Sequence, residues 1–396
     1  MSIQERLTDS FKLVCYQLVY YAVKCIPARQ RQRRLLLVKT DEIGDYVLMR
    51  NLLDRFRSSE AYRGYHITFV GNQSWRQLFE AYDTRVADAV IWLDKIRFRR
   101  NMCYRFSFLR QVRRAGFSDA VNLIYSRSFR ADDLLIAVST STINIAMKAP
   151  RFAVRGLERM LTPGGIYHRL VEAGGEGLFD GVRNARFIGS ILDAGTGSAA
   201  AEEAGYPVST RLSGQLPEPR PEWALPAAFF VVVPGSGNPN KWWPTEYFAE
   251  TTRYVRRQHG LTPVICGGGA DREVTASLCA ALDGTAIDLT ERTSLPELLA
   301  VLRMARFLIA IDTGAVHLAA AVGCPVFGLF SGFHYGRFSP YPRALAQHFF
   351  SIYPDETEEK IAGDRLIPHE VPMGLMSRIT PGKVIRLLEK EIAQIN

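Results

Sequence analysis

The sequence predicts two α/β domains, each a parallel sheet covered by helices, and three observations carry that expectation. Apolar strand-like runs alternate with helical patterns along most of the chain, the order that parallel strands joined by crossover helices produce. At 396 residues, 47% of them hydrophobic, the chain can bury two cores of ordinary size. Two strand, turn and helix segments, one in each half, put carboxylates at the carboxyl ends of strands, where open α/β sheets bind ligands.

The chain starts with a segment of its own, residues 1–34. Its apolar stretch, Leu13 to Val23, is eleven residues long and lies between Lys12 and Lys24, against about 20 for a membrane-spanning helix. Acidic Glu5 and Asp9, and the lack of a small-x-small cleavage site, argue against a signal peptide. Phe11, Val14, Cys15, Leu18, Val19, Tyr21 and Ala22 fall largely on one helical side, and Arg29, Arg31, Arg33 and Arg34 follow. Two readings stand open: an interfacial membrane helix with a polybasic tail, or a helix packed on the first domain.

Strands are then expected at Leu35–Val38, His66–Val70, Ala89–Leu93 and Ala120–Ile124, with an apolar-periodic helical run from Val47 to Phe56. Residues 95–114 interleave eight Lys and Arg with Phe98, Tyr104, Phe106 and Phe108, either a solvated basic helix or an anion-facing one. From Gly195 to Pro226 the composition turns to Gly, Ala, Ser and Pro, as in an interdomain connection. Beyond it Phe229–Val233, Pro263–Cys266, Ala286–Leu289, Phe307–Ile311 and Val326–Phe330 read as strands, and Pro381 to Ile395 as a closing amphipathic helix. The expected domains are therefore 35–215 and 216–396.

Charge divides along the same line. Residues 1–215 hold 32 Lys and Arg against 21 Asp and Glu, a net +11, and residues 216–396 hold 17 against 19, a net −2. The first half is thus expected to face something anionic, whether nucleic acid, a membrane surface or an acidic glycan, the alternative being a basic soluble surface without a partner. No recognisable DNA- or RNA-binding motif accompanies the charge, so nucleic acid is not the expected partner. Six cysteines at 15, 25, 103, 266, 279 and 324 show neither paired C-x-x-C spacing nor His-rich neighbours, which fits a reducing cytoplasm and indicates no zinc site.

Three stretches carry chemistry. Lys39-Thr40-Asp41-Glu42-Ile43-Gly44-Asp45 follows the first strand, and a carboxylate there suits a general base. Pro234-Gly235-Ser236-Gly237-Asn238-Pro239-Asn240-Lys241 follows a strand and offers glycine amides, the Ser236 hydroxyl and the Lys241 cation to a phosphate, without Walker A spacing. Asp312-Thr313-Gly314 opens a helix whose amides could meet an anion, with His317 one turn in. Taken singly, Asp312 and Thr313 also suit helix caps and His317 a packed core position. Cys266-Gly267-Gly268-Gly269 allows close backbone approach to a nucleotide but lacks Gly-x-Gly-x-x-Gly spacing.

Residues 38–48, 234–250 and 289–330 together resemble, in order and spacing, the signature segments of glycosyltransferase family 9, the lipopolysaccharide heptosyltransferase family. Weaker echoes run from Arg183-Asn184 through Gly195 and over Ile379 to Val384. The resemblance implies a GT-B architecture, two Rossmann-like domains facing a central cleft. It also implies inverting, metal-independent transfer from a nucleotide-activated sugar, ADP-sugar favoured, to a lipopolysaccharide-core or related anionic glycan acceptor, with no cofactor. By position it makes Asp45 the catalytic base, Ser236 and Lys241 donor-phosphate contacts, Asp312, Thr313, Gly314 and His317 the donor-binding turn, and Glu273 a ribose contact. Asp41 and Glu42 depart from the family's small polar residues, and Ser331-Gly-Phe-His334-Tyr-Gly-Arg337 departs from its usual Gly-Pro-Thr-Asp-Pro. The expected place of work is the cytoplasm, at the inner membrane's cytoplasmic face, with a noncatalytic nucleotide- or glycan-binding relative of the same fold as the alternative.

Overall fold

The computed structural model describes residues 3–149, 164–192, 209–212 and 214–395. The chain forms two compact units, one of Met1–Gly174 with Arg183–Pro207, the other of Gly175–Val182 with Val208–Asn396. The Gly195–Pro226 connection expected from composition falls partly outside the described residues, at 195–208 and 213.

The first unit is built on a six-stranded parallel sheet: β1 (Arg34–Lys39), β2 (His66–Asn72), β3 (Ala89–Leu93), β4 (Asp119–Asn122), β5 (Ile143–Met147) and β6 (Arg169–Val171), in the order β3-β2-β1-β4-β5-β6. Leu35, Leu36, Leu37 and Val38 are all fully buried, as a central parallel strand with both faces covered requires. Among the described residues its helices are α1 (Ile3–Lys24), α2 (Ile43–Val47), α3 (Asp54–Ser58), α4 (Arg76–Tyr82), α5 (Lys95–Arg100), α6 (Met102–Ala115), α7 (Asp132–Val138) and α8 (Asp180–Leu192), the last beginning in residues assigned to the second unit.

The second unit repeats the plan. Strands β7 (Phe229–Val233), β8 (Thr262–Ile265), β9 (Ile287–Asp288), β10 (Leu308–Ile311), β11 (Val326–Leu329) and β12 (Phe349–Ile352) pair in parallel in the order β12-β11-β10-β7-β8-β9. Counted from the unit's own first strand, both sheets run 3-2-1-4-5-6, the doubly wound order of a Rossmann fold. Helices α9 (Thr245–His259), α10 (Arg272–Ala281), α11 (Leu295–Met304), α12 (Gly314–Val322), α13 (Asp355–Ala362) and α14 (Pro381–Ile392) accompany it. Phe230, Val232, Phe248, Ile309, Phe327 and Leu388 meet in its core.

This order fixes where ligands can approach. In each sheet the crossovers leave in opposite directions from the two central strands, β1 and β4 in one and β7 and β10 in the other, which opens a crevice at their carboxyl ends. The segments after β1, β7 and β10 are those that carry the sequence motifs.

One element differs from expectation, and an open one is decided for one face. The run Val47–Phe56 is not one helix: helical structure begins earlier, at Ile43, and is broken into α2, a short 3-10 turn at Arg50–Leu52, and α3. Tertiary anchors impose the break: the Tyr46 ring stacks on Trp75 at 4.1 Å, and Arg50 grips the buried Asp83 carboxylate at 2.9 and 2.8 Å. In α1, Leu13, Tyr16, Tyr20 and Val23 are buried against the first unit, so one face of this helix packs.

Arg105 clamps that packing. It is 1% exposed, lies 3.6 Å from the Tyr16 ring centroid and 4.0 Å from that of Phe98, and donates to the Phe98 and Arg130 carbonyls at 3.0 and 2.9 Å. Burial pushes its guanidinium down to about 10. Arg105→Met should cost about 2–4 kcal/mol, because a buried and a half-buried carbonyl lose their donor and Tyr16 loses its cation. Urea unfolding followed by tryptophan fluorescence checks this; a change below about 0.5 kcal/mol would show that α1 is held without it.

Candidate functional site

In the second unit the residues around the β7/β10 crevice are held by one carboxylate. Lys241, in a 3-10 turn at Pro239–Lys241 after β7, places Nζ 2.8 Å from Asp312 Oδ2, just beyond β10. His334 Nδ1 lies 3.2 Å from the same oxygen. Burial alone would raise the Asp312 carboxyl, but the His334 hydrogen bond and the Lys241 charge outweigh it and hold the group well below the usual carboxylate range. Asp312 therefore stays ionised and pins a cation at the crevice.

The loop carrying Lys241 is shaped by its own polar groups. Ser236 Oγ donates to the Asn238 carbonyl at 2.9 Å, the Asn238 side chain accepts from the Asn240 amide at 3.1 Å, and Trp242 Nε1 donates to the Ser236 carbonyl at 3.1 Å. A Cβ on Gly235 would overlap the Asp271 carboxylate, so glycine there lets this loop close onto the one after β8. Asp271 in turn accepts from the Gly268 amide at 2.8 Å, and burial raises its carboxyl. Glu291, whose Oε2 lies 2.8 Å from Arg272 Nε, closes the other side of the glycine run. Glu273 is exposed on the first turn of α10.

The turn opening α12 splits its expected members. Thr313 is the N-cap residue but makes no side-chain cap bond, so its hydroxyl does not occupy the first-turn amides as the capping reading would have it. Val316 N already donates to Thr313 O at 3.2 Å, leaving Gly314 and Ala315 as the amides that the helix start offers. Thr313 and Gly314 are half-buried. His317 is 3% exposed, with Nδ1 2.5 Å from the Tyr341 hydroxyl, and packs among the rings of Phe338 and Tyr341.

Segment 331–337, unlike the family pattern, is bolted in place. Arg337 pairs with Asp180 at 2.7 Å with both side chains buried, and Gly336, at φ +82°, packs so tightly on the Gly177 backbone that a Cβ would not fit. That anchoring is what delivers His334 to Asp312.

In the first unit three carboxylates crowd the turn after β1 and sort by partner. Glu42 is exposed and pairs with Lys95 at 2.5 Å. Asp41 Oδ2 pairs with Lys39 at 2.8 Å, while its Oδ1 is buried with no hydrogen-bond partner. Burial pushes the Asp41 carboxyl up to about 7, Lys39 opposing and Asp45 adding to the rise. Asp45 is half-buried on α2 and takes part in no ion pair among the described residues. The turn is fixed by Asn72 and Trp75, whose side chains donate to the Asp41 carbonyl at 3.0 and 3.1 Å.

Sequence reasoning missed what faces that turn across the β1/β4 switch point. Thr40 donates to Asp132, whose carboxyl burial raises to about 6, and the adjacent Asp133 is gripped by Arg127 at 2.9 Å. The signal was present as Asp132-Asp133 opening α7, which reads equally well as acids in a helix's first turn. Among the described residues no group of three or more His, Cys, Asp and Glu side chains is placed to hold a metal ion.

Asp41 makes stability depend on pH in a direction opposite to a salt-bridged surface acid. Its folded value is raised above the unfolded one, so the folded state holds the proton longer. That stability is fully present below about pH 4 and is lost as pH rises through about 7. Asp41→Asn should therefore gain on the wild type as pH goes from 4 to 8. Urea unfolding at a series of pH values checks the trend; a gap independent of pH would show that Asp41 is ionised throughout.

Residues 199–362 match the model of glycosyltransferase family 9 (heptosyltransferase). Lipopolysaccharide heptosyltransferase 1 of Pseudomonas aeruginosa is 32% identical over 128 residues, covering 32% of this chain and 35% of that protein, and lipopolysaccharide core heptosyltransferase OpsX of Haemophilus influenzae is 25% identical over 132 residues, 33% of this chain and 37% of that one. The matched part thus spans about a third of the length of these curated relatives. The crystal structure of a family 9 glycosyl transferase from Veillonella parvula superposes with a TM-score of 0.62 at 21% identity, covering 93% of this chain and 99% of that one. The E. coli heptosyltransferase WaaC with ADP-2-deoxy-2-fluoro heptose gives 0.59 at 17% identity, covering 90% and 99%. The fold shared with these structures is the α/β GT-B fold, each unit built on a parallel sheet, and residues 199–362 are similar to glycosyltransferase family 9.

Proposed function

We propose that this protein is an inverting glycosyltransferase that moves a sugar from an ADP-activated donor, heptose first among the candidates, to an anionic lipopolysaccharide-core or related surface glycan. The observation that carries the reading is the Lys241–Asp312 pair at 2.8 Å beside the open start of α12, at the switch point of the second sheet. A cation, two helix amides and the Thr313 hydroxyl gathered there suit the diphosphate of a sugar nucleotide. WaaC with an ADP-heptose analogue shares this fold, which supports ADP as the first nucleotide to try.

The chemistry follows from the groups present. Asp45 takes the proton of an acceptor hydroxyl as that oxygen attacks the anomeric carbon, and the C–O bond to the nucleoside diphosphate breaks in the same displacement. Of the three carboxylates, Glu42 is committed to Lys95 and Asp41 to Lys39, which leaves Asp45 for the role. Charge developing on the leaving diphosphate is met by Lys241 and by the Gly314 and Ala315 amides, a preorganised electrostatic effect worth about 10²–10³ in rate per key donor. The scheme uses no metal. Ser236 orients the loop through its own turn, and Asp271 and Glu291 join Glu273 as candidates for the ribose hydroxyls. His317, buried against Tyr341, supports the donor turn from behind. We place the work in the cytoplasm, on an acceptor anchored in the inner leaflet of the inner membrane, which the +11 charge of residues 1–215 suits.

A thermal-shift screen of ADP-, GDP-, UDP- and dTDP-sugars, followed by product analysis with a glycan acceptor, tests the reading, since a ligand of the folded state raises its apparent stability. Stabilisation by an ADP-sugar with product formation is expected; binding without turnover would favour a noncatalytic relative.

Asp45→Asn should keep donor affinity and lower turnover about 10²-fold or more, as loss of a general base does. Steady-state kinetics measure it, and an inactive Asp41→Asn beside a near-normal Asp45→Asn would move the base to Asp41. Lys241→Ala should weaken ADP binding by about 1.5–3 kcal/mol, the worth of a charge-assisted contact. Calorimetric titration reads the difference; unchanged affinity would take Lys241 away from the phosphate.

A further inference from the structure

Helix α1 is apolar on two sides. Its inner face, Leu13, Tyr16, Tyr20 and Val23, is buried in the first unit. Its outer positions Phe11, Val14, Leu18 and Tyr21 are 70, 48, 65 and 59% exposed. Their spacing of three, four and three residues places them in one stripe along the helix. A surface helix ordinarily turns charged residues outward, and a row of large apolar side chains there marks a contact surface. The inner face packs as the packed-helix reading of the sequence has it, and the outer face is left exposed.

Charge identifies the occupant. Residues 11–34 contain six Lys and Arg and no Asp or Glu, and residues 95–115 contain eight and none. The two segments are neighbours: the Tyr16 hydroxyl donates to the Arg99 carbonyl at 2.9 Å, and Arg113 Nε donates to the Ile26 carbonyl at 2.6 Å. In these two segments Lys12, Lys24, Arg29, Arg31, Arg33, Arg97, Arg99 and Arg100 are exposed, and Ile96 on α5 is 61% exposed. Among the described residues no helix is long and apolar enough to cross a membrane. An apolar stripe that cannot span, on a helix flanked by two cation-rich segments, residues 11–34 and 95–115, that contain no acid, is complementary to an anionic bilayer surface. The side chains enter the acyl boundary and the arginines meet the headgroups.

We infer that the outer face of α1, with the arginines of α5, docks the protein on anionic lipid. The inference extends the proposed membrane-anchored acceptor and rests on that reading only for its purpose. Docking would turn a three-dimensional search for a lipid-anchored acceptor into a search within the membrane plane.

Co-sedimentation with phosphatidylcholine vesicles, with and without phosphatidylglycerol, tests it on the full chain. Wild type should bind the anionic vesicles, weakly bind the neutral ones, and release with salt. The combined variant Phe11→Ser, Leu18→Ser, Tyr21→Ser should bind at least about 10-fold less, because three large side chains no longer leave water. Arg97→Gln with Arg99→Gln should lose about 10-fold on anionic vesicles and flatten the salt dependence. Each variant should keep the wild-type melting temperature and turnover on a lipid-free acceptor glycan. Undiminished vesicle binding by the triple variant would overturn the inference. So would a concentration-dependent dimer lost in that variant, which would make the stripe an interface between copies, or oligonucleotide binding stronger than vesicle binding. Failure of wild type to turn over any sugar nucleotide would sink the enzymatic reading and leave the vesicle result standing.

Discussion

The Lys241–Asp312 ion pair joins the two central strands of the second sheet at their carboxyl ends, and the local architecture is arranged to keep it. Lys241 reaches Asp312 because the loop after β7 is folded by Ser236, Asn238 and Trp242 into one shape, and that shape needs glycine at 235 to pass Asp271. His334 reaches the same carboxylate because Arg337 and Gly336 are tied to Asp180 and to the Gly177 backbone. Removing a positive partner from a buried carboxylate leaves an uncompensated charge, a cost of several kcal/mol. On the proposed reading, a diphosphate entering the crevice would compete with Asp312 for Lys241.

The first unit meets the opposite electrostatic problem, too many acids rather than a paired one. Asp41, Glu42, Asp45 and Asp132 lie around the β1/β4 switch point with Lys39 and Lys95 as the nearby cations. Burial relieves the crowding by letting Asp41 and Asp132 keep protons to about 7 and about 6.

Much of this was legible in the sequence, and the omissions have physical causes. Runs such as Leu35–Val38 and Phe229–Val233 announce central parallel strands because both faces are buried. Three strands at or next to a sheet edge were missed: β6 is three residues long with Arg169 and Leu170 exposed, and β5 and β12 include Asn144 and Ser351, so none shows a continuous apolar run. The break between α2 and α3 carries no glycine or proline and comes from Trp75 and Asp83, remote in sequence. Motifs located the loops of the candidate site, but the bond between Lys241 and Asp312 joins residues 71 apart, and local pattern holds no record of it. His334 stood out in the sequence as a departure from a family pattern; its use emerged only when the fold set it against Asp312.

The central claim is that the crevice between β7 and β10 receives a nucleoside diphosphate. Hydrogen exchange with and without saturating ADP, read by mass spectrometry over overlapping peptides, measures it most directly, since amides that bind phosphate or close over a ligand exchange more slowly. The account predicts slowed exchange at residues 235–243 and 313–316, with residues 38–48 unchanged by the nucleotide alone. Protection confined to 38–48, or none in either segment at concentrations that saturate binding, would contradict it.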